Sequence, residues 1–317
     1  MPGAKPSGEF GLIAWIRARS AAGGRVSLGI GDDCAALRLT TGAEVLVTTD
    51  MLMDGQHFRL GQASPAEVGY KALAVSLSDI AAMAGVPVAA FVAVALPREQ
   101  AVGLAQGLHA GMIGLAESFG VSLAGGDTNA WDGPLVVCLT VLGEATDRGP
   151  VRRSGARPGD AVLVTGPLGG SLLGRHLHPL PRVAEALAIA GSVAIRAMID
   201  LSDGLSSDLG HILEESGGLG ATLDAAAIPI HDEARAAAAL DGREPLDHAL
   251  NDGEDFELCL TLGSADADRI LAGPPPGVRL IRVGTVEARP GLRLRRLDGS
   301  VVALVAGGFD HLGPPEP

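Results

Sequence analysis

The chain is poor in the residues that mark several large protein classes. Its three cysteines, Cys34, Cys138 and Cys259, lie far apart with no CxxC spacing. Neither a disulfide framework nor a zinc cluster is expected, and a reducing compartment fits. Nine aromatics leave the core to Ala, Val, Leu and Ile, with 45 glycines to close turns. Lys5 and Lys71 are the only lysines, so nearly every positive charge is an arginine. Positive charge is itself scarce: the net charge is −13, and neither nucleic acid nor an anionic membrane surface is an expected partner. Long apolar runs are missing too. The most apolar stretch, Ala72–Leu96, is interrupted by Asp79 and Pro87, which argues against a membrane span. No charged segment followed by an apolar run stands near residue 1, so no signal peptide is expected, and a cytoplasmic location follows. The common catalytic signatures are absent as well: no GxxxxGK[ST], GxSxG, HExxH or HRD is found.

What remains is an apolar α/β chain of 317 residues, long enough for two domains. Helices are expected over 9–19, 65–83, 98–119, 181–190 and 206–216, where apolar residues recur with helical spacing. Strands are expected over 26–30, 44–48, 89–95, 121–123, 135–144, 161–165, 257–262 and 278–286. Between 146 and 160 lie two prolines, three glycines and four arginines, as at a domain junction. The expected domains are 1–148 and 149–317, each a mixed sheet flanked by helices, an α/β (α+β) fold.

The acids are placed unevenly. Asp32, Asp33, Asp50 and Asp127 follow apolar strands, next to glycines or threonines. Asp200 and Asp203 flank Ser202 just before a helix, and Asp252, Glu254, Asp255 and Glu257 precede a strand. Any one of them suits a turn or an N-cap. Asp79 does not, because an acid in the middle of an apolar helix must be paired or must bind something. Taken together, carboxylates with no nearby His or Cys suit Mg²⁺, and Mg²⁺ fills its shell with water and phosphate oxygens. A polyphosphate site is therefore expected. The glycine-rich run Gly166–Gly174 reads equally as a tight turn or as backbone approaching a phosphate.

In order along the chain stand Gly8-Glu9-Phe10, Gly29–Asp33, Thr48-Thr49-Asp50, His57-Phe58, Tyr70–Asp79 and Gly125–Thr128. Arg153-Ser154-Gly155, Asp200–Gly204, Ser207-Asp208-Leu209, Gly253–Leu258 and Gly308–His311 follow. This series resembles the thiamine-monophosphate kinase family, within the superfamily of aminoimidazole ribonucleotide synthetase. The resemblance implies direct in-line transfer of the ATP γ-phosphoryl group to thiamine monophosphate, assisted by several Mg²⁺ ions. It implies metal contacts from Asp33, Thr48, Thr49, Asp50, Asp79, Asp127, Asp200 and Asp203. It implies ATP contacts from Gly126, Asp127, Arg153 and Ser202, with Asp50, Asp127 and Arg153 positioning the reacting groups and no covalent nucleophile. His57, Glu254 and Phe309 would touch the acceptor. A homodimer joined through the sheets of the N-terminal domain is implied as well. Where the family often has Gly-Gly-Glu-Asp, this chain has Asp252-Gly253-Glu254-Asp255, and the extra acid is expected to add negative charge at the acceptor end.

Two sister enzymes fit less well. Selenophosphate synthetase needs a reactive cysteine or selenocysteine in an N-terminal glycine-rich segment, and the hydrogenase dehydratase a C-terminal one; the cysteines here suit neither. The alternatives kept are an ATP-using relative acting on a thiamine analogue or other small substrate, and a non-catalytic nucleotide- or thiamine-binding module. A set of like charges this large argues against binding alone.

Overall fold

The computed structural model describes residues 8–20, 24–30 and 35–307. The chain divides into two compact units, one of residues 1–80 and 85–149, the other of residues 81–84 and 150–317.

In the first unit, α1 (Gly8–Arg17), β1 (Val26–Leu28) and β2 (Ala36–Leu37) precede β3 (Val45–Met53). Then come α2 (Pro65–Ala82), β4 (Val86–Pro97), α3 (Ala101–Ser118), β5 (Ser122–Trp131) and β6 (Val136–Glu144). Four strands form one sheet in the order β3-β6-β4-β5, with only β4 and β5 parallel. The start of α2 follows from local chemistry. Ser64 Oγ accepts from the Glu67 N–H at 3.3 Å, Glu67 Oε2 accepts from the Ser64 N–H at 2.7 Å, and Pro65 takes the first helical position. This reciprocal cap satisfies two amides that the helix cannot. Helices α2 and α3 then cross closely: a Cβ on Gly69 would lie 2.1 Å from the Leu108 carbonyl oxygen, and one on Gly111 1.8 Å from that of Ala66. Only glycine permits that backbone approach.

The second unit contains β7 (Ala161–Val164), α4 (Val183–Ser192), β8 (Ile195–Asp200), α5 (Leu205–Glu215) and β9 (Gly220–Asp224). It continues with α6 (Asp232–Asp241), α7 (Pro245–Asn251), β10 (Leu258–Leu262), α8 (Ser264–Ala272), β11 (Ile281–Glu287), β12 (Gly291–Arg295) and β13 (Val301–Ala303). Its seven-stranded sheet runs β13-β12-β9-β11-β7-β10-β8, antiparallel except for β12 beside β9. Strands β7 and β10 are buried at every position, and α5 packs Leu205, Leu209, Ile212 and Leu213 into the same core. Both units are thus mixed α/β structures.

Two strands are longer than their apolar runs suggested. Asp50 lies in the middle of β3 and Asp127 inside β5, where a strand end was expected for each. Pairing with β6 and β4 carries the strands through those polar residues. Strands β2, β8, β9, β12 and β13 and helices α6, α7 and α8 had no counterpart among the sequence expectations. No helix of the described residues is long and apolar enough to cross a membrane.

Candidate active site

The acids of the first unit stand on two facing elements. Strand β3 alternates, so Leu46 and Leu52 are buried, with Thr48 and Asp50 on the same face. That face meets α2, where Ser76 and Asp79 are one helical turn apart. The Thr48 hydroxyl donates a short hydrogen bond to Asp79 Oδ2, and the Ser76 hydroxyl donates to Asp50 Oδ2 at 2.6 Å. Burial, and then the Asp79 charge, push the Asp50 carboxyl up to about 6 against the opposing pull of the Ser76 hydrogen bond. A partly buried carboxylate whose proton affinity is raised by a neighbouring carboxylate fits a hard divalent cation, which would relieve the same repulsion.

Thr49 is not brought to this pair. Its side chain is on the opposite face of β3, where its hydroxyl lies 2.9 Å from that of Thr140. The alternation of the strand makes this unavoidable for consecutive residues.

Asp127 is exposed on β5. Its Oδ1 accepts from the Thr128 N–H at 2.9 Å and its Oδ2 from the Asn129 amide at 2.9 Å. Before it, Gly126 has φ +153°, and a Cβ there would come within 1.9 Å of the Val92 carbonyl oxygen. The residue must therefore be glycine. The same strand borders a cavity of about 630 Å³, lined by Ile13, Ile16, Phe91, Met112 and Gly125–Thr128. His109 also lines it, 3.0 Å from the Ser20 hydroxyl and edge-on to Trp15. Burial, and then the Arg19 charge, lower the His109 pKa, which favours the neutral ring.

His57 is more fixed than its polar neighbours suggested. Its Nδ1 accepts from the Met53 N–H at 3.1 Å, and its carbonyl accepts from Lys71 Nζ at 2.7 Å. Lys71 is buried on α2. A lysine within an apolar helical run was the available sign of this role.

In the second unit, Asp200 ends β8 and is buried, while Ser202 and Asp203 lie in the turn before α5. Asp208, on the first turn of α5, accepts from the N–H groups of Asp203 at 3.0 Å and Gly204 at 3.1 Å, both through Oδ2. Its Oδ1 is buried with no hydrogen-bond partner among the described residues. Donor atoms of Asp203, Asp208 and His211 lie within 4.8 Å of one another. Burial, then the charges of Asp203 and Asp200, push the Asp208 carboxyl up to about 8. An unsatisfied buried oxygen beside two further acids again fits a cation. Asp208 belongs to the motif Ser207-Asp208-Leu209, but its sequence does not reveal this loop-holding role.

Arg153 is exposed in the segment before β7; the neighbouring Arg152 carbonyl accepts from the Met198 N–H of β8 at 2.9 Å, and Ser216 Oγ accepts from the Gly155 N–H at 3.1 Å. Glu254 is half-buried at φ +50°, its N–H donating to the Ser202 carbonyl at 2.7 Å. Two expectations change here. The Gly169 and Gly170 N–H groups already donate to the carboxylates of Asp255 and Asp252, so these amides of the glycine-rich run hold a loop in place of a phosphate. Asp252 adds little free negative charge, because Arg243 and His248 pair with it and the Gly170 N–H caps it. Asp33 and Phe309 lie outside the described residues.

Residues 31–145 match the family described as AIR synthase related protein, N-terminal domain. The chain is 40% identical over 310 residues to the thiamine-monophosphate kinase of Rhodopirellula baltica, covering 96% of this chain and 97% of that protein. It superimposes on the crystal structure of thiamine-monophosphate kinase from Stenotrophomonas maltophilia with a TM-score of 0.76 at 33% identity, over 91% of this chain and 96% of the other. A structure of AaThiL complexed with AMPPCP and TMP gives a TM-score of 0.75 at 28% identity, over 98% and 99% of the two chains. Facing acids on β3 and α2, a glycine required by backbone approach in β5 and an acid-lined turn before α5 accompany a match over nearly the whole of both proteins. The chain belongs to the thiamine-monophosphate kinase family.

Proposed function

We propose that the protein transfers the γ-phosphoryl group of ATP to thiamine monophosphate, giving thiamine diphosphate, by direct in-line displacement. The observation that carries this reading is the partly buried Asp50–Asp79 pair, each acid held by a hydroxyl from the facing element. Family membership and the AMPPCP- and TMP-bound relative support it.

The roles follow from position and chemistry. Asp50, Asp79, Asp127 and the Thr48 hydroxyl serve the cation and phosphate end in the N-terminal domain, 1–148. Asp200 and Asp203 do so from the C-terminal domain, 149–317, with Asp208 holding their turn. Asp33 and Phe309 are assigned by the resemblance of their motifs. Bound here, Mg²⁺ would neutralise phosphate charge and hold the reacting oxygens in line. Gly126 lets β5 backbone come close to ATP, and the apolar cavity beside it suits the adenine. Ser202 offers a hydroxyl to ATP. Arg153 is exposed and able to grip a phosphate with two parallel N–H groups. At the acceptor end, His57 and Glu254 meet thiamine monophosphate, Glu254 offsetting its cationic thiazolium ring and Phe309 stacking on it.

The exposed face of β3 presents Val45, Val47, Met51 and Met53. A row of apolar side chains on an open sheet face supports a homodimer joined through the N-terminal domain. The free thiols Cys138 and Cys259 suit the cytoplasm.

The test is incubation of the protein with Mg-ATP and thiamine monophosphate, reading thiamine diphosphate by thiochrome fluorescence, with thiamine analogues as competing acceptors. Product from thiamine monophosphate in preference to the analogues is expected. No product, or preference for an analogue, overturns the assignment.

A further inference from the structure

We propose that Asp255, clamped by Arg175 and the Gly169 N–H, is a positioning residue that sets the geometry of the acceptor end by fixing the backbone of Glu254. The inference rests on the reading of Glu254 as an acceptor contact. Three of four consecutive residues here are left-handed: Gly253 at φ +71°, Glu254 at +50° and Phe256 at +51°. Glycine adopts this region freely, but glutamate and phenylalanine do so at a cost in backbone energy, which persists only where the surroundings over-determine the conformation. The surroundings here do so on every side. The Glu254 and Phe256 N–H groups donate to the carbonyls of Ser202 at 2.7 Å and Leu201 at 2.8 Å. The Gly253 carbonyl accepts from the Ser171 hydroxyl at 2.7 Å.

The side chain between the two strained residues is Asp255. It is buried, takes the Gly169 N–H at 2.9 Å, and takes Arg175 Nη2 at 2.9 Å. Arg175 is anchored in turn by Glu233 at 2.8 Å and the Gly169 carbonyl at 3.0 Å. Burial raises the Asp255 carboxyl to about 7 even with Arg175 opposing the shift. A buried ion pair contributes little net stability compared with well-packed apolar residues, so stability alone does not account for one at this place. What the arrangement does supply is direction: Arg175 Nη2 holds one carboxylate oxygen, the Gly169 N–H reaches both, and the carboxylate so held fixes the strained residue beside it.

The experiment measures steady-state kinetics of the full chain with Mg-ATP and thiamine monophosphate for Arg175→Gln, Glu254→Gln and the double variant. Arg175→Gln should raise KM for thiamine monophosphate tenfold or more, with KM for ATP within twofold. In the Glu254→Gln background the same change should add less than twofold, because coupled residues are not additive. Arg175→Lys should recover part of the loss, since lysine reaches Asp255 but cannot also hold Glu233 and the Gly169 carbonyl. An unchanged acceptor KM in Arg175→Gln, an equal rise for both substrates, or full additivity overturns the proposal while leaving the role of Glu254 standing. An unchanged acceptor KM in Glu254→Gln overturns the role of Glu254 and the proposal with it. If Arg175→Gln does not fold, Asp255→Asn and Arg175→Lys decide by the same KM criterion.

Discussion

The two units hold their acids by different means. In the first, Asp50 and Asp79 stand in the middle of regular elements, on faces whose direction is set by strand alternation and helical spacing. In the second, Asp200, Asp203 and Glu254 stand at element ends and in turns, and backbone hydrogen bonds between two loops hold them. Regular elements place a charge with little freedom. Loops leave it freer, and need Asp208, Asp255 and left-handed residues to keep its direction. The first unit therefore reads as the place of strong charge, the second as the place of adjustment.

Removing charge in the first unit should have the largest effect. Asp79→Ala deletes one of the facing carboxylates and leaves the Thr48 hydroxyl without its acceptor. Loss of about 10³-fold in kcat is expected, the scale of removing a preorganised electrostatic partner. A loss under tenfold would place the phosphate end elsewhere.

The corresponding change in the second unit should act through a loop. Asp208→Ala leaves the Asp203 and Gly204 N–H groups without an acceptor, which should cost about 1–3 kcal/mol of stability by denaturant titration. Its effect on kcat should be smaller than that of Asp79→Ala. An equal effect on kcat would erase the distinction between the units.

The pH dependence separates them by midpoint. In the folded chain without metal, burial and neighbouring acids raise Asp50 to about 6 and Asp208 to about 8, against 3.8 for a free aspartate. Unfolding in these windows releases a proton, so each group costs nothing below about 3.8, lowers stability as pH rises, and reaches its full cost above its folded pKa. Melting temperature in EDTA should fall from pH 4 toward pH 8. Asp208→Asn should flatten the fall over the whole range up to about pH 8, whereas Asp50→Asn should flatten it only below about pH 6 and leave a constant gain above. Identical curves for both variants would refute the assignment.

The smallest effects should come from glycines that serve no approach. Gly114 in α3 and Gly210 in α5 would meet nothing within 4 Å as alanine. Each substitution should stabilise by up to about 1 kcal/mol with unchanged kcat. A loss of activity in Gly210→Ala alone would show that the turn before α5 needs a flexible helix.

The same contrast governs what could be read from the sequence. Asp79 was legible because an acid within an apolar helical face must be paired or must bind something. The span of α2 was legible as well, because Val68, Ala72, Val75 and Ile80 recur with helical spacing after Pro65. The orientation of Thr49 was open to reading from alternation once β3 was known to run past Asp50, but the polar residues hid the length of the strand. The second unit was harder. Asp252 seemed an extra charge because Arg243 and His248, its partners, are identified only by the packing of α7. The glycine-rich run left a tight turn and a phosphate approach equally open, because the acids that occupy its amides lie more than eighty residues away. Left-handed Glu254 and Phe256 carry no sequence sign at all, since neither residue type favours that conformation.

The central claim is that phosphoryl transfer depends on the facing carboxylates of β3 and α2. It is tested most directly by single-turnover formation of thiamine diphosphate from Mg-ATP and thiamine monophosphate, comparing the wild-type chain with Asp50→Asn. Asparagine keeps the size and an acceptor for Ser76 while removing the charge. The account requires that ATP still bind and that the transfer step slow by two orders of magnitude or more. Transfer at the wild-type rate in a folded, ATP-binding Asp50→Asn protein would contradict it.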